Sequence, residues 1–353
     1  MCVGFTQTIA QTYGGIIMVN IGIIGAGRIG QVHARSIVSG VPGARVAKVA
    51  DPFIKPEVKQ WMEATGAKIV SDYHDILNDP QIDAVLICSS TDTHAPISIE
   101  AINAGKHVFC EKPVDLSPAK IREVEKALAA SPKKLCFQVG FNRRFDHNFE
   151  ALRKATLAGK VGDVQFVRVS SRDPNPPAPQ YVAVSGGIFL DMMIHDIDMV
   201  RYLSGEEIEE VYARGACLID PEIGKAGDVD SATVSIRLSN GALALIDNSR
   251  RAAYGYDQRA EVFGSLGAVA ITNDSESTAV LSTEAGVTAE KPLYFFLERY
   301  MASYQKEMRL FVEAVTNGTE VPVGLKDGLM SIRIGLACKK SLAENRPVRI
   351  DEI

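Results

Sequence analysis

The chain has 353 residues, a formal net charge of −5, and 46% hydrophobic against 23% charged residues. That length suits about two domains of ordinary size, and the acidic balance offers no electrostatic footprint for nucleic acid or an anionic membrane. No run approaches the roughly 18 apolar residues of a membrane span, so the expected partner is a small molecule, with no nucleic acid and no membrane.

Residues 1–17 carry no Lys or Arg and so lack the marks of a secretory or transit peptide. They read as an N-terminal extension, with Met18 as an alternative start. The cysteines Cys2, Cys88, Cys110, Cys136, Cys217 and Cys338 show no C-x-x-C spacing. They are expected as free, packed thiols in a reducing, cytoplasmic compartment.

An apolar strand from Val19 runs straight into Gly25-Ala26-Gly27-Arg28-Ile29-Gly30. In that setting Gly25 permits a tight turn, Gly27 lets backbone approach a diphosphate, and Gly30 lets the following helix pack closely. The orphan N–H groups of the helix, those of Arg28 and Ile29 included, then face the anion. A second strand at 44–50 ends at Asp51, placed to accept hydrogen bonds from the adenosine ribose. Pro52-Phe53-Ile54 supply no guanidinium for a 2′-phosphate, which selects NAD over NADP, with Lys55 the one cation close by. Taken singly, the glycines describe any turn and Asp51 any helix cap; strand, turn, helix, strand and acid in that order point to a nucleotide.

Strands and helices continue to alternate to residue 140, the mark of a parallel sheet. The loop after the fourth strand holds Ser89, Thr91 and His94, expected near the nicotinamide ribose. Beyond 140, strand-like stretches at 164–170, 209–216, 232–238, 242–248, 259–263, 268–272 and 277–281 follow one another, several separated only by turns, as in an antiparallel sheet. Helices are expected at 189–203, 297–316 and 327–344. The fold class is α/β, with a Rossmann domain over 18–140 and an α+β domain over 141–353 whose open sheet is mainly antiparallel.

Two clusters carry candidate chemistry. Glu111-Lys112-Pro113 closes the fifth strand, at the sheet edge where ligands bind. There Glu111 is expected at the cofactor, and Lys112 can hydrogen-bond a reacting hydroxyl and stabilise alkoxide charge. Asp191 and His195 stand four apart, on one face if helical, so that a carboxylate could orient an imidazole acting as general base. Alone, that spacing equally fits a solvated helix face. Asp198 adds a polar group one turn on, and Arg143, Asp173 and Tyr256 supply donors and acceptors suited to a polyhydroxylated substrate. Arg143 and Arg144 have structural alternatives in pairing with Asp146 or Glu150. His33, His74, His107 and His147 lack metal-ligand spacing, so no metal is expected.

The glycine motif, Glu-Lys-Pro at 111–113 and Asp-x-x-x-His at 191–195 together resemble the glucose-fructose oxidoreductase, inositol dehydrogenase and MocA family. Segments 171–177 and 185–196, with Tyr181 and Tyr254-Gly255-Tyr256-Asp257, are most similar to its inositol dehydrogenase branch. The resemblance implies a catalytic set of Lys112, Asp191 and His195, NAD-dependent oxidation of an inositol hydroxyl, homotetramers formed through the open sheet, and a cis bond before Pro113. Another polyol or sugar substrate, or an NAD-sensing regulator on the same scaffold, are the alternatives.

Overall fold

The computed structural model describes residues 12–13 and 16–353. Most of the expected extension, and Cys2, lie outside them. The described part divides into two compact units, the described residues up to 111 with 123–140 and 305–324 forming the first and 112–122, 141–304 and 325–353 the second.

The first unit is built on six parallel strands: β1 (Val19–Ile24), β2 (Ala44–Ala50), β3 (Lys68–Val70), β4 (Ala84–Ile87), β5 (His107–Glu111) and β6 (Phe137–Gly140). Their spatial order is β3-β2-β1-β4-β5-β6. Strand order therefore reverses between β1 and β4, and the carboxyl ends there frame the crevice where such sheets take ligands. The helices are α1 (Arg28–Gly40), α2 (Pro56–Ala64), α3 (His74–Leu77), α4 (Thr91–Asn103) and α5 (Pro118–Ala130). Central strands are mostly apolar, because a parallel sheet is covered on both faces. Ile21, Ile23, Val49, Leu86 and Phe109 are wholly buried.

One expectation changes here. The reading of 141–353 as a single second domain places residues 305–324 with that domain, whereas they pack in the first unit. Met308, Phe311, Val312 and Ala314 join the core around Ile21 and Phe109. An amphipathic helix declares its apolar face in sequence but not the sheet that face will cover.

The second unit includes α6 (His147–Leu157) and a seven-stranded sheet. Its strands are β7 (Val164–Arg172), β8 (Ile208–Ala216), β9 (Ser231–Leu238), β10 (Leu243–Ser249), β11 (Asp257–Gly264) and β12 (Gly267–Ile271), with a separate ribbon of β13 (Val280–Thr283) and β14 (Gly286–Ala289), and finally β15 (Val348–Arg349). The order is β12-β11-β7-β10-β9-β8-β15, antiparallel throughout except for the parallel pair β7–β10. The stretch expected as a further strand at 277–281 instead begins that separate ribbon.

Burial alternates along β9 and β11, as a sheet with one covered face requires. The remaining helices are α7 (Pro179–Ser185), α8 (Ile194–Ser204), α9 (Pro221–Lys225), α10 (Phe296–Arg299), α11 (Met301–Asn317) and α12 (Leu325–Glu344). Val167, Val169, Val234, Ile236 and Ile246 of the sheet pack with Phe189, Met193, Ile197 and Val200, and with Ile334 and Cys338 of α12. Each such side chain contributes about 1.5–3 kcal/mol on burial.

The helix expected at 189–203 is interrupted. Residues Ile188–Met192 form a π-helical turn, closed by the Met193 N–H donating to the Ile188 carbonyl, and α8 starts only at Ile194. α12 presses against this turn: a Cβ on Gly335 would stand 2.5 Å from the Leu190 side chain.

The glycine motif gives a stability test. A Cβ at Gly30 would lie 2.0 Å from the Gly25 carbonyl oxygen, while one at Gly27 meets no protein atom within 4 Å. Overpacking costs about 1–3 kcal/mol, more than the roughly 1 kcal/mol that alanine's helix propensity returns. Gly30→Ala is therefore expected to lower the thermal midpoint and Gly27→Ala to leave it unchanged, as read by thermal unfolding of the two variants.

Candidate active site

In the first unit the glycine turn rises from β1 directly against the end of β4. Gly25 adopts φ +97°, and a Cβ there would strike the Cys88 carbonyl and the Ser89 nitrogen at 2.7–2.8 Å. Only glycine fits. α1 then starts with no side-chain cap and no acidic residue in its first turn. Its orphan N–H groups are left for an anion. The open space beside Gly27 is a cradle that protein atoms leave unfilled. Arg28 and Gly27 are exposed and Ile29 half-buried.

Asp51 is fixed by backbone: its Oδ2 accepts from the Ala26 N–H at 2.7 Å and its Oδ1 from the Phe53 N–H at 2.8 Å. The carboxylate thus holds the glycine turn at the end of the second strand. At the end of β4, Ser89 Oγ lies 2.6 Å from Thr93 Oγ1, and the buried His94 ring meets the Ser89 carbonyl at 3.0 Å. Thr91 opens α4 and His94 lies in its first turn, so the expected loop is already helical there. These residues fit an NAD-type dinucleotide: an uncapped helix end, a glycine without neighbours and a carboxylate at the second strand.

Glu111 departs from expectation. Its carboxylate, expected at the cofactor, is buried and bonded to His33 Nε2 at 2.6 Å. His33, read from sequence as merely structural, is wholly buried on α1 and packs edge-on against Phe109.

In the second unit, Lys112 precedes a cis bond to Pro113, as the resemblance implies. Its Nζ donates to the Asp191 carbonyl at 3.0 Å and stands 3.7 Å from the Asp191 carboxylate. The same carboxylate accepts from the Tyr181 hydroxyl at 2.9 Å and faces Arg250 at 3.8 Å. No hydrogen bond or ion pair joins Asp191 to His195, which corrects the expected carboxylate–imidazole pair. The π turn is the reason. Its wider i→i+5 closure breaks the four-residue register on which a shared α-helical face depends.

His195 has its Nδ1 buried without a hydrogen-bond partner among the described residues. Its ring packs edge-on against Phe141 at 6.1 Å. Burial, then the charges of Lys112 and Arg143, hold the imidazole well below its ordinary pKa. It is neutral at pH 7.

Asp173 makes no side-chain hydrogen bond in the described residues, while its backbone is fixed by Ser249 and Ala252 at 2.9 and 2.7 Å. Burial pushes its carboxyl up to about 7 despite the opposing pull of Arg250 and Arg143. Tyr256 is buried, edge-on to Phe295 and Tyr300, and burial raises its hydroxyl well above the ordinary range against the charge of Arg143.

Two expected substrate groups are otherwise engaged. Asp198 is wholly buried and takes both its bonds from Arg144, at 2.8 and 2.5 Å, while Arg144 also reaches Asp327 at 2.9 Å. Such a pair must be mutually satisfied to be tolerated in the interior, so Asp198 is structural. Arg143 is likewise buried, bonded to Asp196 at 2.5 Å and Ser171 at 3.0 Å, and not to Asp146 or Glu150. Asn248 completes the shell of Asp196 at 2.8 Å. The charge of Arg143 still bears on Tyr256 and His195.

Sequence reasoning missed Arg250 and Asp228. Arg250 is buried, its Nε and Nη2 without hydrogen-bond partners among the described residues, between Asp191 and Asp228. Asp228 in turn accepts from the Ile188 N–H that opens the π turn, at 2.9 Å. Nothing in a local motif marks either residue. A surface cleft of about 470 Å³, lined by Pro174, Asn175, Tyr254 and Tyr294, holds none of the predicted site residues. Among the described residues no group of three or more His, Cys, Asp or Glu is disposed to hold a metal, and no helix is long and apolar enough to cross a membrane.

Comparison with known proteins agrees with this geometry. Residues 19–141 match the oxidoreductase family with an NAD-binding Rossmann fold, and 149–270 match the GFO/IDH/MocA C-terminal domain. The chain is 48% identical to a myo-inositol 2-dehydrogenase of Thermotoga maritima, over 94% of this chain and 99% of that one. The crystal structure of a probable dehydrogenase from Thermotoga maritima superposes with a TM-score of 0.92 at 47% identity, covering 95% of this chain and all of that one. A scyllo-inositol dehydrogenase of Lactobacillus casei, solved with NAD(H) and scyllo-inositol bound, gives 0.87 at 31% identity, covering 95% and 99%. The chain belongs to the GFO/IDH/MocA family of NAD-dependent oxidoreductases.

Proposed function

We propose that this chain oxidises one ring secondary alcohol of an inositol to the ketone, using NAD. The observation that carries the reading is the grouping of polar side chains in the second unit: Lys112 is held on Asp191, its charge and that of Arg143 bear on a buried, neutral His195, and the same Arg143 bears on Asp173. The named substrates of the relatives, myo- and scyllo-inositol, supply the substrate class.

The cofactor, when bound, supplies the hydride acceptor. The chain's own residues handle the proton. Neutral His195 takes the hydroxyl proton on Nε2, the ring nitrogen not buried, with Nδ1 carrying the ring hydrogen. Lys112, tethered to Asp191, donates to the reacting oxygen and stabilises its developing charge. Asp191 is thus a partner of Lys112 and Tyr181, not an orienter of the imidazole. Asp173 in its ionised form accepts from a ring hydroxyl, and Tyr256 walls the site. A polyol satisfies such groups, whereas an analogue lacking a hydroxyl leaves one unpaired.

The five described cysteines are free, in keeping with a reducing, cytoplasmic compartment. The uncovered face of the seven-stranded sheet, with Leu243 and Phe263 about half exposed, we read as the homotetramer surface. Light scattering of the purified protein reads the mass directly, and a monomer would reject it.

Removing a general base typically costs about 10²- to 10⁴-fold in rate. His195→Ala is accordingly expected to lower kcat by that order while NADH still binds; unimpaired turnover of myo-, scyllo- or chiro-inositol, followed by absorbance of NADH, would sink the assignment. Because the Asp173 carboxyl titrates at about 7 and works ionised, kcat/KM should rise with pH through that value. Asp173→Asn should remove this limb, and a profile unchanged in the variant would reject Asp173 as its source. Asp51→Ser should weaken discrimination against NADP⁺, measured as the ratio of kcat/KM for the two cofactors.

A further inference from the structure

We propose that His33 and Glu111 form a positioning pair that fixes the strand end from which Lys112 projects. The inference rests on the reading of Lys112 as the group that meets the reacting oxygen.

Glu111 is the last residue of β5, paired there with Gly140 on β6. His33 anchors its side chain. The Nε2–Oε1 bond is 2.6 Å, with side-chain exposures of 0% and 10%. A carboxylate that deep demands a compensating partner.

Two further observations show a site built around that carboxylate. First, β6 is notched for it: a Cβ on Gly140 would lie 2.9 Å from Glu111 Oε2 and 3.0 Å from its carboxyl carbon. The backbone of Gly140 is not in the left-handed region, so the notch and not backbone freedom accounts for glycine. Second, Glu307 is wholly buried close by, and neither of its oxygens has a hydrogen-bond partner among the described residues. Burial, then the charge of Glu111, hold its carboxyl well above the ordinary range. A second acid held neutral near Glu111 does not compete with it for a cation.

His33 lies on α1, the helix that begins at the glycine turn. The pair therefore ties the nucleotide-binding helix to Glu111, and through one peptide unit to Lys112. Displacing a reacting partner by about 1 Å can cost 10²-fold in rate.

The test uses the full chain. His33→Ala and Gly140→Ala should each lower kcat by about 10- to 10²-fold, with the NADH dissociation constant within about threefold of the parent. His33→Gln, which keeps a donor, should recover most of the loss, and Glu307→Gln should leave kcat unchanged. Positioning through Lys112 also predicts non-additivity: in a Lys112→Met background His33→Ala should cost little more. Pulsed acylation read by mass spectrometry supplies a readout independent of turnover, with labelling of Lys112 rising severalfold in His33→Ala and other lysines unchanged. Should the parent oxidise no polyol, the functional reading fails while the labelling still decides the pair. Should His33→Ala not fold, Gly140→Ala, which removes neither partner, carries the test. Losses that multiply in the double variant, or unchanged Lys112 labelling, overturn the proposal.

Discussion

The structure turns on how the chain leaves β5. In an extended chain consecutive side chains depart in opposite directions, and here Glu111 goes to His33 while Lys112 goes to Asp191. One peptide bond thus separates a carboxylate committed to a buried imidazole from an ammonium committed to a π turn. Neither residue is free to exchange roles. A carboxylate left loose at the carboxyl end of a parallel sheet would add negative charge where an anionic dinucleotide docks, and an unanchored lysine would spend its time in solvent. Pairing each one removes both difficulties.

The second unit solves a different problem, the handling of a proton among many charges. Lys112, Arg143 and Arg250 supply three cations, and Asp173, Asp191, Asp196 and Asp228 four carboxyls. Asp196 is committed to Arg143, Ser171 and Asn248, and Asp228 to the backbone of the π turn. Asp191 is shared between Tyr181 and Lys112. Asp173 alone of the four makes no side-chain hydrogen bond in the described residues, and its carboxyl is the one raised to about 7. Burial without a side-chain hydrogen bond sets this carboxyl apart from the other three.

What the sequence disclosed followed from whether a local rule decided the geometry. The glycine turn was legible because each glycine answers to a distinct steric demand within a few residues, and Gly25 and Gly30 meet theirs as read, while Gly27 faces open space. The alternation of strands and helices likewise disclosed the parallel sheet. Asp198 and Arg143 looked like ligands because polar residues near a motif are indistinguishable from one another until their partners are known; Arg144 and Asp196 consume them across the fold. The parallel pairing of β7 with β10, and the packing of residues 305–324 in the first unit, depend on contacts far apart in sequence. No local periodicity encodes them. Arg250 sits at the end of β10, where a second basic residue, Arg251, masks it.

The Asp191–His195 spacing was the instructive failure, because the residues were well chosen and the geometry between them was not. A four-residue separation implies a shared face only when every intervening turn is α-helical. The π turn at Ile188–Met192 inserts its extra residue within that interval, held by Asp228 at its start and pressed by Gly335 of α12. Asp191 is thereby released to Lys112 and Tyr181, and His195 keeps a buried Nδ1 with no acceptor. An imidazole so placed gains no carboxylate when it takes a proton, and the neighbouring cations oppose its charge. Its neutrality at pH 7 thus follows from where the π turn leaves it: in a buried setting, beside cations and without a carboxylate partner.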